Sequence, residues 1–319
     1  MPHKRLRHAI VPACVLSLAT ALVAATSNSA NPSASRPAPP PPAGRFIPLE
    51  TGTLFIPESF RPADREIDLL VHFHGDPATV GRNVEAARLN AAVLIINYPG
   101  LSAAYSTPMK QNPDLFAQAL AAALSRLERE NIVPPGAAWR KVCVSSFSAG
   151  YGAVRELLQQ ERYFDRIDGL CMLDSIYAGY VEDADAQPPS SSQNATPQKD
   201  APATAPARVR RVNPAHMQEF RRFARAAAEG RKTFILTHTY LVPGSYASTI
   251  ETADDLLTHI GADRKSSDEP IADSPVHVIS RAAKGQFKLW GCAGEDGEAH
   301  MQHLRHMRIW LVELPLQRR

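Results

Sequence analysis

The chain has 319 residues, 44% of them hydrophobic, and a formal net charge of only +3. That supplies a sizeable core and gives no basic stripe of the kind that holds nucleic acid, so no nucleic-acid partner is expected. The arginines that do cluster, Arg208 with Arg210 and Arg211, then Arg221, Arg222 and Arg225, fall in or beside one predicted helix, where a solvated face explains them.

The first thirty residues have the shape of a signal peptide. His3, Lys4, Arg5 and Arg7 form a basic start, an apolar run follows over 9–25, and small residues close it with cleavage expected after Ala25 or Ala30. An uncleaved N-terminal anchor is the alternative, because the run is near the lower length limit of a membrane span. Cleavage implies a secreted or periplasmic protein with no stable membrane insertion. Beyond Cys14 of the leader only Cys143, Cys171 and Cys292 remain, so an exported domain must rely on its core rather than on a dense disulfide framework. Residues 31–45, rich in Pro, Ala and Ser, read as a stiff extended linker.

A folded domain is expected over 46–319. Short apolar segments at 46–49 and 53–57 suggest a leading hairpin, and strands are predicted at 67–74 and 92–97. Leu115, Phe116, Leu120, Leu124 and Leu127 recur at helical spacing within 113–131. A strand at 141–145 gives way at once to a helix beginning at Tyr151, and another buried strand spans 169–174. The Gln/Pro/Ser-rich stretch 182–206 is a low-complexity insert with too little apolar surface to order itself. A helix over 214–229, a strand at 233–238, a helix over 248–260, strands at 276–280 and 287–290, and a last helix from about residue 301 complete the pattern. Strands alternating with helices predict an α/β fold whose mostly parallel sheet is covered by helices on both faces.

Between the strand at 141–145 and its helix lies Ser146-Phe147-Ser148-Ala149-Gly150. Small residues two before and two after a central Ser let a strand double back into a helix, holding the central residue strained with its hydroxyl lifted clear of the sheet. Ser148 is therefore the candidate nucleophile. Such a serine needs a base to take its proton and a carboxylate to orient that base, in the chain order Ser, acid, His. Asp174 ends the strand at 169–174, and the Gly-rich loop after the 287–290 strand delivers His300 at the mouth of the final helix. His303, one turn on, is the alternate base. Glu251, Asp254 and Asp255 are rival acids placed inside a helix. His238 reads as a core histidine and His306 as a surface one.

With this elbow, this residue order and this strand pattern, the chain from about residue 46 onward resembles the α/β-hydrolase superfamily of serine esterases and lipases. The departure is Ser146, which stands where the elbow motif has its first Gly. The resemblance implies an oxyanion hole. The sequence His72-Phe73-His74-Gly75-Asp76-Pro77 is similar to the His-Gly loop of that superfamily, and places donors at the backbone N–H of Gly75 or Asp76 and of Ala149, with His74 lining the pocket. Read alone, His72-x-His74-x-Asp76 would suggest a metal site. Pro77 stands where a further His would be needed, however, and no other ligand spacing supports it, so neither metal nor cofactor is expected. Tyr98, Tyr105, Tyr177, Tyr240 and Tyr246 follow strand ends and suggest an aromatic rim, leaning weakly toward an aryl or carbohydrate-linked ester. The resulting expectation is an exported serine hydrolase that cleaves a small-molecule or carbohydrate-linked carboxylic ester. An amidase or peptidase with the same triad, or a non-catalytic cell-envelope binding protein on a hydrolase fold, are the alternatives.

Overall fold

The computed structural model describes residues 39–62, 64–181 and 210–319. The signal peptide, most of the Pro-rich linker and the low-complexity insert lie outside the described residues. The chain opens on the expected hairpin, β1 (Arg45–Leu49) paired antiparallel with β2 (Gly52–Ile56). Strand β3 (Glu66–Phe73) leads into helix α1 (Pro77–Ala86), then β4 (Ala91–Ile96), α2 (Ser102–Gln111), α3 (Leu115–Arg129), β5 (Ala138–Phe147) and, after a tight turn, α4 (Tyr151–Leu158). Helix α5 (Glu161–Arg166) precedes β6 (Gly169–Leu173). Two short strands, β7 (Tyr180–Val181) and β8 (Arg211–Val212), pair with each other on either side of the insert. The remainder is α6 (Pro214–Ala228), β9 (Thr233–His238), α7 (Thr249–Ile260), β10 (Lys265–Pro270), β11 (His277–Lys284), β12 (Phe287–Cys292), α8 (Gly297–Arg305) and α9 (Arg308–Leu311).

Ten of the strands form one sheet in the order β1-β2-β4-β3-β5-β6-β9-β12-β11-β10. The central run from β4 to β12 is parallel throughout, and the flanks are antiparallel. The central parallel strands are mostly apolar because both their faces are covered: every residue of β4, β6 and β9 is buried. Helices α3, α4, α6 and α7 pack on one face through Phe116, Leu157, Phe220 and Leu256. On the other, α1, α8 and α9 contribute Val84, Leu304 and Trp310, with Met307 between the last two helices. The expected α/β fold is therefore the one observed. Among the described residues, no helix is long and apolar enough to cross a membrane.

Besides the short pair β7 and β8, four elements were not anticipated. Helices α1 and α2 have weak apolar faces, α5 is a six-residue segment, and β10 (Lys-Ser-Ser-Asp-Glu-Pro) is a largely exposed edge strand held by backbone pairing to β11. The last helix also begins earlier than expected. Asp296 caps it by accepting from the Ala299 N–H at 2.8 Å, so His300 sits in the first turn of α8 rather than in the loop before it.

Candidate active site

Strand β5 carries Val142, Cys143 and Val144 into the core and stops at Phe147. Ser148 then takes φ +46°, a left-handed conformation that a non-glycine residue holds only at a cost of about 1–3 kcal/mol. Residues 148–150 form a single tight turn and α4 starts at Tyr151. Gly150 has to be glycine, because a Cβ there would stand 2.5 Å from the carbonyl oxygen of Phe73 on β3. Two neighbouring strands end in the same way. His74 after β3 has φ +68°, and Asp174 after β6 has φ +46°. Thus β3, β5 and β6, adjacent in the sheet, each turn through a left-handed non-glycine residue at the carboxyl edge, which is where strain collects at functional sites.

Asp174 is fully buried, and four donors surround its carboxylate. Oδ1 accepts from the Thr239 N–H at 2.9 Å and from the Thr249 hydroxyl, and Oδ2 accepts from the Thr239 hydroxyl at 2.8 Å and from His300 Nδ1 at 2.6 Å. Burial alone would push this carboxyl up, but the hydrogen bond from His300, the charges of His303 and His300, and the Thr249 bond outweigh it and hold the group well below the usual carboxylate range. An ionised carboxylate can only accept, so Nδ1 of His300 carries a proton and Nε2 is left as a lone pair able to take one. The His300 ring stacks on Phe147 at 4.5 Å between centroids, which stands it directly beside the Ser148 turn, and its side chain keeps 15% of its surface exposed.

The rivals are occupied elsewhere. His303 is buried, with Nδ1 2.6 Å from the Thr237 hydroxyl and its ring stacked on Trp310, and burial lowers its pKa to about 4. Glu251 completes the capping box of α7 with Ser248 and accepts from Tyr180. Asp254 pairs with Arg264, and Asp255 with Arg221. His238 is a buried core histidine between the Thr239 carbonyl and Arg264, while His306 is partly exposed at the surface. Thr239 and Thr249, the main supports of Asp174, escaped sequence reasoning. The trace they leave is the polar run Thr237-His238-Thr239 interrupting the apolar strand β9.

The end of β3 and the loop after it send three polar side chains to different partners. His72 points into the sheet interior with Nδ1 2.7 Å from the Ser145 hydroxyl, His74 Nδ1 lies 2.7 Å from the Tyr105 hydroxyl, and Asp76 caps α1 by accepting from the Thr79 N–H at 2.8 Å. Among the described residues, no group of three or more His, Cys, Asp or Glu side chains is arranged to hold a metal ion. Gly75 packs so tightly that a Cβ would lie 2.7 Å from His72 Nε2. The aromatic rim is narrower than expected. Tyr105 is buried, and Tyr240 turns toward His238 and Ser280. What borders Ser148 is Tyr177, whose phenol faces the Ser148 side chain and whose ring lies 5.6 Å from Tyr151 and 5.5 Å from Tyr246.

No family model matches the chain, and no curated protein matches it. Solved structures do. An α/β serine hydrolase homologue from Coxiella burnetii is 11% identical, covering 84% of this chain and 95% of its own, with a TM-score of 0.38. An ester hydrolase from the metagenome of Lake Arreo, complexed with a bipyridine phosphonate derivative, is 12% identical, covering 86% and 84%, with a TM-score of 0.42. The fold assignment stands on the strand order and connections: a mostly parallel sheet with interleaved helices and a strand–turn–helix elbow is an α/β-hydrolase-type fold.

Proposed function

We propose that this chain is a serine hydrolase that cleaves a carboxylic ester, with Ser148 as nucleophile, His300 as base and Asp174 as the group that orients His300. The reading rests on one observation: the Asp174–His300 hydrogen bond of 2.6 Å lies beside a left-handed elbow that presents a serine. In the first half-reaction the Ser148 oxygen attacks the acyl carbon while His300 Nε2 takes the hydroxyl proton. Backbone N–H groups of Ala149 and of Gly75 or Asp76 stabilise the oxyanion. Collapse breaks the ester C–O bond, His300 returns the proton to the departing alcohol, and an acyl-Ser148 remains. Water, deprotonated by His300, then releases the acid.

Ester is favoured over metal-assisted chemistry by the separation of His72, His74 and Asp76, each bonded to a different partner. A small-molecule or carbohydrate-linked ester suits the tyrosines beside Ser148, since aromatic faces stack on planar and sugar rings. The basic-then-apolar leader supports export, and N-terminal sequencing of the protein from its own host is expected to begin at Thr26 or Asn31. The activity is tested by turnover across a panel of p-nitrophenyl esters of increasing acyl length. At least one ester is hydrolysed by the wild-type chain, and Ser148→Ala lowers that rate by several orders of magnitude. Equal rates for the two proteins would reject the assignment.

A further inference from the structure

Ser146 departs from the glycine of the elbow motif, and its hydroxyl is fully buried, as is Ser175. The two oxygens lie 2.6 Å apart, and the Ser175 hydroxyl stands 2.9 Å from the carbonyl oxygen of Ser148. A carbonyl can only accept, so the single proton of Ser175 goes to Ser148 and the Ser146 hydroxyl must donate to Ser175. The direction of the chain is therefore fixed: Ser146 to Ser175 to the Ser148 carbonyl. Among the described residues, the other acceptor near Ser146 is the Met172 sulfur at 3.4 Å, a weak one.

The peptide unit that this relay grips joins Ser148 to Ala149. In a planar trans peptide the C=O and the N–H point in opposite directions, so anchoring the carbonyl sets where the N–H aims. That N–H belongs to Ala149, the donor assigned to the oxyanion. We propose that Ser175, held in turn by the Ser146 hydroxyl, is a positioning residue that aims the Ala149 N–H at the oxyanion. The proposal rests on the serine-hydrolase reading above. It also explains why a serine occupies the first elbow position, and it ties the residue after Asp174 to the turn that carries Ser148. Acid, nucleophile and oxyanion donor are thereby fixed to one another across β5 and β6.

The test measures kcat, KM and inhibition by phenylboronic acid, whose boron forms a tetrahedral adduct with a serine oxygen, on the ester that the wild-type protein turns over. In Ser175→Ala, kcat falls about 10- to 100-fold with KM within about two-fold, because an oxyanion donor acts in the transition state and a small misplacement is costly. The boronic acid weakens by the same factor as kcat/KM. The pH profile stays in place, since His300 and Asp174 are untouched. Ser175→Thr, which keeps the hydroxyl, restores most of the rate. Ser146→Ala loses several-fold, because Ser175 keeps its proton for Ser148 but loses its own donor.

Wild-type kcat in Ser175→Ala, or a loss confined to KM, overturns the proposal. So does a Ser175→Thr protein that folds yet is as slow as Ser175→Ala. Should Ser175→Ala fail to fold, Ser146→Ala decides, and unchanged kcat and unchanged boronic-acid affinity there overturn the relay. A wild-type chain that hydrolyses no ester and binds no boronic acid contradicts the hydrolase reading itself, a separate result.

Discussion

Asp174 and His300, 126 positions apart in the chain, are joined by a 2.6 Å hydrogen bond at the carboxyl edge of the sheet. The bond fixes which nitrogen of His300 bears the proton, and Thr239 and Thr249 fix the carboxylate in turn. Asp174→Asn keeps the shape of this site but offers an amide N–H where His300 needs an acceptor. The wrong tautomer of His300 is then favoured, and turnover falls by about 10⁴, the cost of the same exchange in a serine-protease triad. Steady-state kinetics with circular dichroism on the same sample check that activity is lost while the fold is retained.

The two histidines of α8 separate cleanly by role. His300→Ala removes the base and lowers kcat by several orders of magnitude; it also takes one of four donors from the buried Asp174 carboxylate, so some stability is lost with it. His303→Ala leaves the Thr237 hydroxyl without its 2.6 Å partner and strips the face of Trp310, so it lowers unfolding free energy by about 1–3 kcal/mol while kcat stays within a few-fold. Denaturant melts and initial rates on both variants distinguish the two roles; an inactive His303→Ala with a wild-type melt would reverse them.

Much of this was legible in the sequence, and the failures have physical reasons. The parallel strands were visible because burial on both faces leaves mostly apolar residues in them, and β9 was read at its observed limits, Thr233–His238. The elbow was visible because steric crowding demands small residues around Ser148. Helix α8 began earlier than its apolar face suggested, since Asp296 and Gly297 start a helix by capping rather than by hydrophobic period. Edge strand β10 has no apolar alternation, because solvent covers it. The roles of Thr239, Thr249 and Ser175 depend on which loops the sheet brings together, and no local spacing encodes that.

Acid sensitivity follows from the buried histidines. Burial lowers His72 to about 3, and His238 and His303 to about 4; the nearby Arg264 adds to the effect at His238. In the unfolded chain each takes up a proton near pH 6.5, while in the folded chain each stays neutral until well below that. Between these values the unfolded state binds more protons, so stability is complete above about pH 6.5 and falls as the pH drops toward 4, by up to roughly 1.4 kcal/mol per pH unit for each histidine. Asp174, held below its ordinary range, adds a loss of the same sign at lower pH. Urea melts at pH 7.5, 6, 5 and 4.5 are expected to show this steep decline; a flat profile would mean these side chains are solvated.

The elbow's tight packing gives a prediction about folding. Gly150→Ala places a methyl group 2.5 Å from the Phe73 carbonyl, a backbone atom that cannot move aside without shifting β3. The variant loses about 1–3 kcal/mol or more through overpacking, which at this size lowers the melting temperature by several degrees. Thermal melts beside the wild type measure it, and an unchanged Tm would show that the turn has room to spare.

The most direct measurement is covalent labelling by a fluorophosphonate followed by peptide mapping. An activated serine oxygen displaces fluoride from phosphorus, and only a serine served by a base does so readily. The wild-type protein is expected to take up a single phosphonyl group on the tryptic peptide that contains Ser148, while His300→Ala labels far more slowly and Ser148→Ala not at all. Labelling of another serine, or equal labelling of wild type and His300→Ala, would contradict the proposed chemistry at Ser148.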